Sequence, residues 1–365
     1  MPARSLAIVH LTPPHGNTGG HRQTRLVYDL LRRHFDVREY PFALGNAKLS
    51  AVYYPLYPLA RPLADGLRER FDVVFGEWCG YFPVASDLVY IVPSTPPPGP
   101  PVSLRRLVGI GPRPAAGFWP PPLEWLYFNP LVRPLVNRAA LDALDRTGTL
   151  AAGGGQLREQ IRAEFGRDAR VIYPGVPQDK LEALVHLRSG PHDPRVLVIS
   201  RIVPEKHLED VVAIANELPR VPFAVVGYLG AHGPSYLEQL RKLNRATNVE
   251  FYPNLDEEAK RTLLGRSRVL LNPSQNDTFP IGLLEGMVAG LAPVAHASGG
   301  PLEYLEPAQM YLGPEEGVRA VQAALEEGEA ARLRVAERAR EMIDPARLER
   351  EFVDAVQDAY VARRR

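Results

Sequence analysis

The feature that most limits what this chain can become is the alternation in its second half. Short apolar runs at 196–200, 223–226, 249–252, 269–272 and 293–296 are separated by amphipathic stretches at 206–218, 235–246, 256–267 and 281–290. Apolar runs without polar alternation read as strands covered on both faces, and the longer stretches between them as the covering helices. Repeated units of this kind build a parallel sheet flanked by helices. The first half repeats the pattern less regularly. It has strand-like runs at 6–10, 72–75, 88–92, 149–152 and 170–173, and a helical face of Leu26, Val27, Leu30 and Leu31 within 24–34.

Between the two sets lies 174–194, PGVPQDKLEALVHLRSGPHDP, with Pro and Gly at both ends. Such punctuation predicts a break. The organisation expected is a first doubly wound domain over 1–180, a second over 181–344, and a closing helix over 345–365. That helix carries Phe352, Val353, Val356 and Tyr360 on one face and is expected to pack back on the first domain. A single eightfold barrel fits the length but gives the break no reason.

Composition excludes several classes. With 45% hydrophobic and 23% charged residues over 365 positions, the chain is globular rather than disordered. A net charge of +1 argues against a general nucleic-acid binder. No apolar run reaches the roughly 18 residues of a membrane span, and MPARSLAIVHLTPP is broken too early for a signal peptide. The single Cys79 excludes a disulfide framework and points to the cytoplasm. Charge is divided unevenly. Residues 1–180 hold 21 basic and 15 acidic side chains, a balance of +6, and 181–365 hold 22 and 27, a balance of −5. An anionic partner for the first half is one reading; scattered surface charge is the other. Many of the 37 prolines crowd into 93–134, alternating with Phe118, Trp119, Trp125, Tyr127 and Phe128. This is expected to be a rigid flap whose aromatics either pack in the core or form a ledge for a lipid surface.

Open parallel sheets bind ligands outside the carboxyl ends of their strands, so the residues just after each strand carry the chemistry. After 196–200 come Arg201 and Lys206, two cations between a strand end and a helix start, suited to a phosphate or diphosphate. The plain alternative is two solvated cations. After 269–272 come Asp277 and Glu285, eight apart, separated by a loop and a first helical turn. Carboxylates there accept hydrogen bonds from a polyol, while the N–H groups of 281–284 meet an anion. A cap and a solvated Glu would also satisfy the pattern. Gly299 and Gly300 are expected to let backbone approach a ligand. Near the start, HGNTGG ends in Gly19 and Gly20 and feeds a helix, which suits a phosphate without matching a dinucleotide fingerprint. No Asp-x-Asp occurs, so no site for a metal ion is expected.

Together these segments resemble the GT-B glycosyltransferases of family 4, the retaining group that includes bacterial sugar transferases and eukaryotic lipid-linked mannosyltransferases. The likeness is strongest over 195–305, in SRIVPEK, NDTFPIGLLEGMVAG and AHASGGPLEYL, and extends to VIYPGV. The wording is nearest to the lipid-linked-oligosaccharide mannosyltransferases. The resemblance implies two doubly wound Rossmann-like domains facing a central cleft, with a C-terminal helix crossing back. It implies that Arg201 and Lys206 hold the donor diphosphate. Asp277 would touch the donor sugar and Glu285 the nucleotide ribose, as the two acids of a Glu-x₇-Glu motif. Phe279, Ile281, Gly282 and Leu283 would line the same donor site, with Tyr252 and Leu255 near the base and Gly19 and Gly20 across the cleft.

The activity implied is metal-independent, retaining transfer of a hexose from a nucleoside-diphosphate sugar, GDP-mannose or a UDP-sugar, without a cofactor. The acceptor would be a glycan or a lipid-linked molecule on the first domain, at the inner membrane face of the cytoplasm. The diphosphate oxygen would take the acceptor proton. Three departures stand out: Asp277 replaces a Glu, Pro280 replaces a Gly, and 92–95 carries no His. They motivate a rival reading as a non-catalytic nucleotide-sugar or glycan-binding homologue. A GT-B epimerase is a second rival.

Overall fold

The computed structural model describes residues 4–10, 19–41, 61–78, 86–91, 144–229 and 233–365. Cys79, the proline-rich 93–134 stretch, the turn at 11–18 and positions 92–95 lie outside the described residues. Two compact units are present, one from residues up to 174 together with Ala346–Arg365, the other over Gly175–Pro345.

The first unit follows the order β1 (Ser5–His10), α1 (Gly19–Leu31), β2 (Asp36–Pro41), α2 (Arg61–Arg70), β3 (Val73–Trp78), β4 (Leu88–Ile91), β5 (Thr149–Ala152), α3 (Gly155–Phe165) and β6 (Arg170–Val171). Its six strands are parallel and ordered β2-β1-β3-β4-β5-β6. Alternate strand residues feed opposite layers. Leu6, Ile8, Val73, Phe75, Leu88 and Tyr90 pack on one side, and Val89, Ile91, Leu150 and Ala152 meet Leu157 and Ile161 of α3 on the other. Strand β2 escapes a search for apolar runs because it is an edge strand carrying Asp36, Arg38 and Glu39, and edges tolerate charge.

The second unit contains α4 (Gln178–His186), β7 (Asp193–Ile199), α5 (Leu208–Glu217), β8 (Phe223–Gly227), α6 (Gly233–Leu243), β9 (Val249–Pro253), α7 (Glu257–Arg266), β10 (Ser267–Asn272), α8 (Ile281–Val288), β11 (Ala292–His296), β12 (Met310–Tyr311), α9 (Pro314–Glu326) and α10 (Glu329–Ile343). Its parallel strands run β12-β11-β10-β7-β8-β9. Val196, Val198, Val269 and Leu271 face one helical layer, while Leu197 and Leu270 face the other. The fully buried strand centres explain why this unit reads as continuous apolar runs.

The division between the units falls at Pro174 and Gly175, at the start of 174–194, and helix α4 occupies part of the rest of that segment. Pro177 stands at its N-cap, Asp179 in its first turn and His186 in its last, with Leu181 and Leu184 buried beneath. The proline stands immediately before the helix, where its missing N–H breaks no intrahelical bond.

The last helix, α11 (Pro345–Arg364), belongs to the first unit. Leu348, Phe352, Ala355, Val356 and Ala359 are buried against the β1–β5 layer. Phe352 stands edge-on to Tyr90, ring centres 5.0 Å apart, and to Phe75 at 5.9 Å. At the far end Arg363 donates to the carbonyls of Phe71 and Asp72 and to Asp87, a buried carboxylate that also accepts from Arg68 and the Val74 N–H. Among the described residues no helix is long and apolar enough to cross a membrane. Truncating Phe352 to Ala should lower the unfolding free energy by about 3–5 kcal/mol, the range for a fully buried aromatic. Urea unfolding followed by circular dichroism measures it, and a loss below about 1 kcal/mol would contradict this packing role.

Candidate functional site

The strand order of the second unit reverses between β7 and β10, which lie side by side in register at Val196–Val269 and Leu197–Leu270. Chains leaving neighbouring strands at such a point diverge to opposite faces and open a crevice at the carboxyl ends. The residues leaving β7 and β10 therefore flank one place.

From β7 the chain passes Arg201 and enters a short 3₁₀ turn, Pro204–Lys206, opened by Pro204. His207 closes that turn at φ 52°, in the left-handed region, and α5 begins at Leu208. This turn buries Lys206 to 8% exposure. From β10 the chain passes Asn276, also left-handed at φ 54°, then Asp277, and starts α8 after Pro280. The two exits meet where Lys206 Nζ donates to Asp277 Oδ2 at 2.6 Å. Arg201 is exposed at the end of β7 and takes no part in that pair.

The turn after β11 holds the Asp277 loop in place. Gly300 N–H donates to the Asp277 carbonyl at 2.8 Å. A side chain at Gly299, where φ is +68°, would come within 2.4 Å of that same carbonyl oxygen, and one at Gly300 within 2.3 Å of the Thr278 carbonyl. These glycines serve close approach of two protein loops. Ser298 Oγ accepts the Asn276 N–H at 2.9 Å and lies 2.8 Å from His296 Nδ1. Burial lowers the His296 pKa below the usual histidine value of 6.5, with nearby His207 adding to the effect and a backbone hydrogen bond at Leu312 opposing it. Through the Ser298 hydroxyl, His296, Ser298 and Asn276 form one hydrogen-bonded chain leading to the residue before Asp277.

Among the described residues, helix α8 is neutralised by side chains at its C-terminal end. Arg188 Nε donates to the Val288 carbonyl and Arg332 Nη1 to the Gly290 carbonyl, both at 2.8 Å. These cations oppose the negative end of the helix dipole. At the other end the Leu283 and Leu284 N–H groups turn back to the Pro280 carbonyl, at 2.9 and 3.4 Å. Ile281 and Gly282 are left to present N–H groups without an intrahelical acceptor. The N–H set expected over 281–284 is thus narrowed to these two. Leu283 itself is buried in the core.

Glu285 stands four residues after Ile281, on the same helical face. It is 6% exposed rather than solvated, and its Oε1 accepts from Lys180 Nζ of α4 at 2.5 Å. Phe279, Ile281, Tyr252 and Leu255 pack on the rim of the apolar layer beneath α8. Tyr252 lies near the end of β9 and Leu255 just after it, two strands from β7, and the Tyr252 hydroxyl donates to Glu250. Gly19 and Gly20 open α1 in the first unit. The sequence reading missed Tyr304. Its ring meets Phe279 edge-on at 6.3 Å, and its buried hydroxyl has no hydrogen-bond partner among the described residues. Burial, reinforced by Asp277 and Glu303, holds its pKa well above the ordinary tyrosine value, so the hydroxyl stays a donor. Among the described residues no group of three or more His, Cys, Asp or Glu side chains gathers to hold a metal ion.

Two open parallel units, the second with a pair of charged loops at its switch point, define a GT-B protein. The fold matches WaaG, a glycosyltransferase involved in lipopolysaccharide biosynthesis, with TM-score 0.62 and 17% identity over 96% of this chain and 99% of that one. It also matches the sucrose-phosphate synthase of Thermosynechococcus elongatus, with TM-score 0.69 and 14% identity over 98% and 100%. Residues 180–345, nearly the whole of the second unit, match the family described as "Glycosyl transferases group 1". Over 167 residues the chain is 28% identical to the GDP-Man:Man(3)GlcNAc(2)-PP-Dol alpha-1,2-mannosyltransferase of Dictyostelium discoideum, covering 41% of this chain and 33% of the relative. It is 30% identical over 136 residues to a phosphatidylinositol N-acetylglucosaminyltransferase component of Arabidopsis thaliana, covering 36% and 30%. The chain therefore spans about a third of the length of these curated relatives.

The buried neutral His296 predicts a stability slope. Above about pH 6.5 the ring is neutral in both folded and unfolded chains. Below it the unfolded chain takes a proton that the folded one resists, so stability falls as the pH drops through and below the unfolded value. Melting temperatures measured from pH 7.5 to 5 should fall less steeply in His296→Asn than in the parent chain. Identical slopes would contradict the assignment.

Proposed function

We propose that this chain is a retaining, metal-independent hexosyltransferase that moves a sugar from a nucleoside diphosphate to a glycan or lipid-linked acceptor. The observation that carries the reading is the meeting of Lys206 and Asp277 at the switch point, beside the open N-terminal end of α8. In the reaction the bond from the sugar's anomeric carbon to the diphosphate oxygen breaks. A bond from that carbon to the acceptor oxygen forms, and the acceptor proton passes to the leaving diphosphate.

Each group has a task in that scheme. Lys206 is a cation held at the switch point beside Asp277, and it meets the charge that grows on the leaving group. The Ile281 and Gly282 N–H groups add a fixed positive potential, and Arg201 reaches in from the end of β7. Asp277 accepts hydrogen bonds from sugar hydroxyls, with Phe279 beside it. Leu283 anchors the first turn of α8, and Tyr252 and Leu255 serve the base. Gly19 and Gly20, where α1 starts, offer backbone N–H groups suited to a phosphate. GDP-mannose is the favoured donor, because the Dictyostelium relative is named for a GDP-mannose reaction; a UDP-sugar is next. The basic balance of residues 1–180 supports an anionic or lipid-linked acceptor on that part, with peripheral contact at the inner membrane face.

Lys206→Ala should fold cooperatively yet lose about 10²–10³ in turnover, the usual effect of removing one such electrostatic contact. The assay is transfer from whichever sugar nucleotide corresponds to the diphosphate (GDP, UDP, ADP or dTDP) that best raises the melting temperature. An unchanged rate removes Lys206 from the mechanism.

A further inference from the structure

Lys180 is separated from Glu285 by 105 residues, and no spacing pattern in the sequence joins them. Helix α4 brings them together, with the Glu285 side chain 8% exposed and Lys180 28% exposed, so the pair opens outward on the lysine side. A purely structural role for the pair, stitching α4 to α8, is not needed. Leu181 and Leu184 of α4 already share an apolar layer with Leu283, Leu284, Met287 and Val288 of α8. Buried ion pairs also add little net stability beyond what an apolar pair of the same size would give.

What the pair does supply is an acceptor and a donor side by side. A lone carboxylate takes only donors and a lone ammonium only acceptors. Lys180 Nζ has three N–H groups and places one on Glu285 Oε1, keeping two to offer, while a carboxylate has further lone pairs. Two adjacent hydroxyls answer that pattern, one donating to the carboxylate and its neighbour accepting from the ammonium. Glu285 lies one turn along from the open N–H groups of Ile281 and Gly282, on the face they share. A diphosphate at the helix end thus has its nucleoside within reach of the pair.

We infer that Lys180 donates to the 2′-hydroxyl of the nucleoside ribose while Glu285 accepts from the adjacent 3′-hydroxyl, making the site selective for ribonucleoside over 2′-deoxyribonucleoside diphosphates. The inference rests on the reading of this site as a nucleoside-diphosphate-sugar site. The test is calorimetric titration of the full chain with GDP and 2′-deoxy-GDP, and with UDP and 2′-deoxy-UDP. The parent chain should bind the ribose form of its preferred diphosphate about tenfold more tightly, the effect of one charge-assisted hydrogen bond. In Lys180→Met the ribose form should weaken by about the same factor while the deoxy form changes little, so the ratio falls toward one. An equal loss on both forms makes Lys180 a structural strut and overturns the inference, as does an unchanged ratio. If Lys180→Met does not fold, Lys180→Gln decides the matter: a reduced ratio supports the inference and a parental ratio overturns it. Absence of any nucleoside-diphosphate binding by the parent chain would sink the proposed function, and this inference with it.

Discussion

The bond between Lys206 and Asp277 depends on a topological fact. Only where a parallel sheet reverses its strand order do two neighbouring exits turn to opposite faces, and here those exits belong to β7 and β10. The remaining contacts of the site serve to keep the two loops at that spacing. Gly299 and Gly300 allow the third loop to close on the second, and the His296–Ser298–Asn276 chain locks a left-handed residue just ahead of Asp277. Behind this arrangement, Arg188 and Arg332 satisfy the carbonyl end of α8 and leave its amide end exposed. Charge in the unit is therefore organised along one short helix, with cations at its base and unfilled donors at its mouth.

The two units differ in how plainly their sequences announce them. In the second, strand centres such as Val196, Leu197 and Val198 are wholly buried, so both faces are apolar and the runs stand out. The charged edge strand β2 gives no such signal, because half of it faces solvent. Helix α10 is obscured for another reason: its buried face includes Arg332, which interrupts the apolar period while satisfying the Gly290 carbonyl. Helix α4 is hidden by flanking Pro and Gly, which belong equally to a linker and to a helix with well-marked ends.

Within the site, legibility follows chain distance. Arg201, Lys206 and Asp277 are legible as candidates because they lie on the segments that leave β7 and β10, and Glu285 because it stands on the helix that the second segment enters; the rule about carboxyl ends needs no tertiary knowledge. Lys180 is invisible because its partner lies on a remote helix, and Tyr304 because the burial of one hydroxyl leaves no mark on a pattern of residues. The availability of N–H groups at α8 is also beyond reach. Whether Leu283 and Leu284 bond to Pro280 is decided by the local turn, which composition does not encode.

Helix α11 makes the first unit discontinuous, since the layer containing Phe75 and Tyr90 is completed only by residues from the opposite end of the chain. During synthesis, residues 175–345 form an uninterrupted segment and hold everything their own core requires before α11 has emerged. The part translated first is thus the part that finishes folding last. Until Phe352 arrives, Phe75 and Tyr90 lack their edge-on partner, and the face that α1 covers with Val27, Leu30 and Leu31 is only partly closed.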